Sequence, residues 1–110
     1  MRALYPFLIA TAALWAMPKN ASAQLYVIEF PGGLGVVGKY DAKTGAAISS
    51  FITGLNVPQW LAVKGNTLFV ANSDFSGTVG EYDAKTGAAI NPSFITGLNF
   101  PIALAVKSAK

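Results

Sequence analysis

The apolar residues of this chain come in short runs punctuated by turn residues, and no window sustains helical spacing. Leu68 to Asn72 is an apolar run of the kind that suits a strand covered on both faces. In Thr78 to Asp83, Val79, Glu81 and Asp83 alternate with Gly80 and Tyr82, as on a strand with one wetter side. Asp83-Ala84-Lys85-Thr86-Gly87 predicts a hairpin connection in which aspartate bonds its own downstream amides and glycine takes positive φ. Ala88 to Ile95 predicts a third strand, made irregular by Pro92. After a loop through Gly97-Leu98-Asn99 and Pro101, Ile102 to Val106 predicts a fourth.

The same text occurs earlier in the chain. Gly38 to Ile48 returns as Gly80 to Ile90 with one exchange, Leu25-Tyr26-Val27 answers Leu68-Phe69-Val70, and Phe51 to Asn56 answers Phe94 to Asn99. Gln59 to Val63 answers Ile102 to Val106, and Lys64-Gly65-Asn66-Thr67 predicts a tight turn leading straight into Leu68. The period is 43 residues, with small slips in the loops. Periods of this size belong to stacked supersecondary units, none of which buries its apolar face alone. The expected fold is all-β, with two four-stranded antiparallel units at 24–67 and 68–110.

The start of the chain reads differently. Met1-Arg2 is a short positive start, Ala3 to Met17 is apolar apart from Pro6 and Thr11, and Ala21-Ser22-Ala23 is a small-x-small cleavage signature. Residues 1–23 are therefore expected to be a helical signal peptide cut after Ala23, which makes the mature protein secreted or periplasmic. The apolar stretch is shorter than the roughly twenty residues of a spanning helix, so no membrane span is expected after cleavage.

Removing that segment takes Arg2 and Lys19 with it, and six lysines against five acids leave a net charge of +1 where the whole chain has +3. The lysines are scattered rather than striped, so nucleic acid is not an expected partner. With neither cysteine nor histidine there is no disulfide, no thiolate site and no Ser-His-Asp arrangement.

Leu-Phe-Val-Ala-Asn, Gly-Thr-Val-Gly-Glu-Tyr-Asp, Thr-Gly-Ala, Gly-Leu-Asn-x-Pro and Leu-Ala-Val resemble bacterial exported β-propeller repeats of the NHL and YVTN types, such as occur in PEP-CTERM-associated proteins. The resemblance covers Leu25 to Val106 and implies two blades of an incomplete propeller preceded by a signal peptide. Closed propellers have four to eight blades, so the expected partners are further repeats in cis, as in a longer gene product, or other copies in trans. The function it implies is noncatalytic interaction or scaffolding. The alternatives are a fragment of a metal-dependent, gluconolactonase-like hydrolase, or a small self-assembling lectin-like propeller.

Candidate chemistry is sparse. Gly33-Leu34-Gly35-Val36-Val37-Gly38 matches G-x-G-x-x-G in letters, but a dinucleotide site needs its third glycine to open a helix, and Gly38 stands at a strand. The repeated Asp41-Ala42-Lys43-Thr44-Gly45 carries one carboxylate, too little charge for a calcium loop, and reads as a turn. No cofactor, metal or catalytic residue is assigned. Positions where the copies differ are the better ligand-contact candidates. They are Glu29 against Asn72, where the lactonase-like resemblance implies oxygen ligands for a divalent cation, and Trp60 against Ala103. Trp60 could stack on a sugar, although beside Pro58 and Leu61 it is expected to fill space between units.

Overall fold

The computed structural model describes residues 23–74 and 77–109. The expected signal peptide helix and nearly all of its cleavage motif lie outside the described residues. Among the described residues seven strands occur in chain order: β1 (Gln24–Glu29), β2 (Gly35–Asp41), β3 (Ala47–Leu55), β4 (Pro58–Lys64), β5 (Thr67–Asn72), β6 (Thr78–Asp83) and β7 (Ala89–Ile95). A 3₁₀ turn at Pro31–Gly33 joins β1 to β2. They form two antiparallel sheets, β1-β2-β3 and β4-β5-β6-β7.

The all-β expectation therefore holds, while two details differ. The first sheet has three strands rather than four, because the strand at 58–64 pairs with β5 of the next unit. The sheets divide at Asn56-Val57, about ten residues before the textual repeat begins again. The turn Gly65-Asn66 enforces this: with Lys64 opposite Thr67 it is a two-residue hairpin, and Gly65 takes φ +59°. Residues 102–106, expected as a strand, form none. A strand needs a ladder, and the edge of β5 that the counterpart β4 uses is already taken by β4.

Directly opposed residues of an antiparallel pair share a face, so the registers sort each sheet into two sides. In the first sheet, Tyr26 opposes Lys39 and Ile28 opposes Val37, while Leu25 opposes Tyr40 and Val27 opposes Gly38. In the second, Leu68 opposes Tyr82 and Val70 opposes Gly80, while Phe69 opposes Glu81 and Ala71 opposes Val79. The core lies between the sheets. Val37, Ile52 and Leu55 of the first pack with Leu68, Val70, Tyr82 and Ala84 of the second, flanked by Tyr26, Ile28, Phe51 and Leu61. Polar bonds cross the same seam: Tyr26 Oη donates to the Ala84 carbonyl at 2.8 Å, and Lys39 Nζ donates to the Lys85 carbonyl at 3.1 Å. The Lys39 ammonium also lies 4.7 Å from the centre of the Phe51 ring.

The two Asp-Ala-Lys-Thr-Gly turns are superposable in their bonding. Asp41 Oδ1 accepts from the amides of Lys43 and Thr44 at 2.8 and 3.0 Å, and Asp83 Oδ1 accepts from Lys85 and Thr86 at 2.7 and 3.0 Å. These amide bonds hold both carboxyls below their ordinary range. Because the folded form binds its proton less readily than the unfolded one, the turns contribute stability above about pH 4 and lose it as pH falls further. Acid titration of the double variant Asp41→Asn/Asp83→Asn, followed by circular dichroism, is expected to show a flatter acid limb than the wild type.

Candidate functional site

Residues of the two sheets together line a polar cavity of about 230 Å³ that opens to solvent. The first sheet and the loop after it supply Gly54, Leu55 and Asn56. The second supplies Asn72 and Asp74 at the exit of β5, together with Thr78 and Tyr82 of β6. Asn72 is only 6% exposed, and its amide donates to Thr78 Oγ1 at 3.3 Å. Its Oδ1 and the Oδ1 of Asp74 are buried and have no protein donor among the described residues. Two buried acceptors on one wall call for a donor or a cation, since an unpaired buried acceptor is costly. A cavity of this size accommodates several waters, which supply such donors at little cost.

Of the residues singled out from the sequence, only Asn72 lines this cavity. Glu29 occupies the same repeat position, but on the first unit's opposite, outward face. It is exposed and accepts a 2.7 Å bond from the Tyr40 hydroxyl, which raises the tyrosine's pKa. Glu29 and Asn72 therefore belong to equivalent places in two different units and do not converge. Among the described residues no three acidic, histidine or cysteine side chains cluster as a metal could require. Asp41 and Asp83 are engaged by their own turns, and Gly35 to Gly38 lie within β2 rather than at a helix start.

Trp60 stands in β4 opposite Ala71, which places it on the outer face of the second sheet, and it is 49% exposed. It does not fill the space between the two sheets. Asp74 escapes sequence reasoning, although Asn72-Ser73-Asp74 against Glu29-Phe30-Pro31 is a place where the copies differ in polarity.

A second, apolar groove of about 280 Å³ lies on that outer face, between Phe69, Val79 and Phe94 on one side and residues 104–107 on the other. The start of this tail is held as β4 is held. A Cβ on Gly35 would meet Pro58 at 2.3 Å, and one on Gly77 would meet the Leu98 carbonyl at 2.3 Å and Pro101 at 2.8 Å.

No protein-family model, no curated protein and no solved structure matches the chain.

Proposed function

We propose that this chain is a noncatalytic interaction or scaffold module, a two-blade segment of an exported β-propeller whose leader is removed after Ala23. The observation that carries the reading is directional stacking. The Tyr26, Ile28 and Val37 side of one unit packs against the Leu68, Val70 and Tyr82 side of the next, and the complementary sides of both units remain outward with their apolar residues. Surfaces of that composition serve association. The apolar groove on the second sheet adds concavity to one of them.

The buried acceptors of Asn72 and Asp74, which have no donor among the described residues, favour a second reading, in which the polar cavity holds a divalent cation of a propeller hydrolase. One carboxylate and one amide fall short of the six or more oxygens calcium takes. A calorimetric scan separates the readings. The scaffold predicts a melting temperature unmoved by millimolar calcium. A cation site filled to a hundred times its Kd would add about 2.7 kcal/mol, roughly 10 °C or more for a domain of this size, and such a rise would replace the scaffold reading with the metal-dependent one.

A further inference from the structure

The interface between the two sheets has a head and a tail. Its head is the side of the first sheet bearing Tyr26, Ile28, Val37, Phe51 and Ile52. At equivalent repeat positions the second sheet carries Phe69, Ala71, Val79, Phe94 and Ile95, and these form its outer side. The likeness extends to ring geometry: Tyr26 and Phe51 have centroids 5.6 Å apart, and Phe69 and Phe94 have theirs 5.8 Å apart. The interface's tail is the side bearing Leu68, Val70, Tyr82 and Ala84. Its equivalents in the first sheet, Leu25, Val27, Tyr40 and Ala42, form the opposite outer side of the molecule. The outer side of the second sheet, where residues 104–107 border Phe69 and Val79, and the more open outer side of the first are thus the two halves of a contact the chain already makes once.

The strand edges repeat the same asymmetry. β4 covers the free edge of β5, with Leu61 opposite Val70 and Val63 opposite Leu68. Among the described residues the corresponding edge on β1 carries no strand, and residues 102–106, the counterpart of β4, form none. Those residues already lie where a third unit's first strand would begin. Leu104 borders Phe69 and Val79, and Leu61, its counterpart, packs against the inner core, as Tyr26 and Ile28 do.

From these complementary ends we infer that the partner of this surface is a second copy of the chain, joined head to tail. The outer side of one copy's second sheet stacks on the outer side of the next copy's first sheet. Residues 102–106 of the first copy add as the missing fourth strand on β1 of the second. The repeat fixes the register, which places Leu104 opposite Val27 and Val106 opposite Leu25. Main-chain bonds along such an added strand supply affinity, and the side-chain pairs supply specificity. The contact is heterologous, so it repeats in one direction from copy to copy, closing into a ring where the rotation allows and running on as a filament where it does not. This second copy is the partner of the interaction module proposed above. A failure of head-to-tail pairing would leave the result of the calcium scan on that module unaffected.

Cysteine pairs test it, because the chain has no cysteine of its own. Leu61→Cys with Val70→Cys in one chain samples the internal version of the pair and is expected to form an intrachain disulfide. Val27→Cys in one copy mixed with Leu104→Cys in another is expected to give an interchain dimer band about tenfold stronger than Val27→Cys mixed with Val106→Cys, whose offset by two residues exceeds disulfide reach. The unmodified mature chain at micromolar concentration is expected to sediment at a multiple of its own mass, and the chain lacking residues 100–110 as one copy with its far-ultraviolet signal retained. Formation of the internal disulfide without the interchain one, equal yields from the two mixtures, or a monomeric mass for the unmodified chain would each overturn the inference.

Discussion

Leu68→Ala is expected to lower the unfolding free energy by about 3 kcal/mol, within the range for truncating a buried leucine, whereas Leu25→Ala is expected to cost about 1 kcal/mol or less in the dilute monomer. The two leucines hold the same place in the repeat, each one residue inside its strand and each opposite a tyrosine. What separates them is the neighbouring unit. Leu68 is 0% exposed beneath the first sheet, and Leu25 is 50% exposed on the free side. Emptying the first leaves a void among Val37, Ile52 and Val70, whose strands are held in register and cannot collapse inward. Emptying the second removes area that water already half covers. Denaturant titration of both variants at low concentration checks the contrast, and equal losses would mean that stacking is not the source of stability. Raising the protein concentration adds a second readout. If Leu25 takes Leu68's place under another copy, its truncation becomes more costly as copies associate.

That contrast between two equivalent leucines marks which layer of the structure is legible in the sequence. Strands β5 and β6 and the Asp-Ala-Lys-Thr-Gly turns depend on local chemistry, and each is readable from a window of a few residues. The course of β4 is harder, because a repeat announces its period and not the point at which one sheet ends. Lys64 to Thr67 contains the answer: a two-residue turn ties the strand before it to the strand after it, and so carries residues 58–64 into the second sheet. Asp74 is hidden for another reason. Its cavity is completed by Gly54, Leu55 and Asn56 from the other unit, and only stacking brings those residues to it. Trp60 shows the same limit from the opposite side. Its neighbours in sequence suggest packing between units, and the side it occupies faces outward, where only another unit could cover it.

Glycines at the turns offer a sharper probe of that covering. Gly45→Ala and Gly87→Ala place a side chain at nearly identical backbone angles, φ +80° and +81°. Each therefore carries the left-handed cost of roughly 1–2 kcal/mol that any non-glycine residue meets there. Beyond that shared cost their surroundings diverge. A Cβ on Gly45 has no neighbouring atom within 4 Å, while one on Gly87 would stand 2.7 Å from the Phe51 carbonyl oxygen and 3.2 Å from its ring. Neither atom yields easily, since Phe51 belongs to β3 and its ring packs at a tilt against Tyr26 in the seam between the sheets. Overpacking of this kind adds about 1–3 kcal/mol. Gly87→Ala is thus expected to be the more damaging by roughly that amount when both variants are unfolded in urea as monomers. The counterpart of Phe51 is Phe94, on the outer side of the second sheet. In a head-to-tail assembly Gly45 of one copy takes the position against Phe94 of the preceding copy that Gly87 takes against Phe51. Gly45→Ala should then leave the monomer fold intact and weaken association by a factor of about 5–150, the same 1–3 kcal/mol expressed as an equilibrium constant. Sedimentation of that variant across a concentration series measures the factor, and an unchanged association constant would mean that copies do not meet through this face.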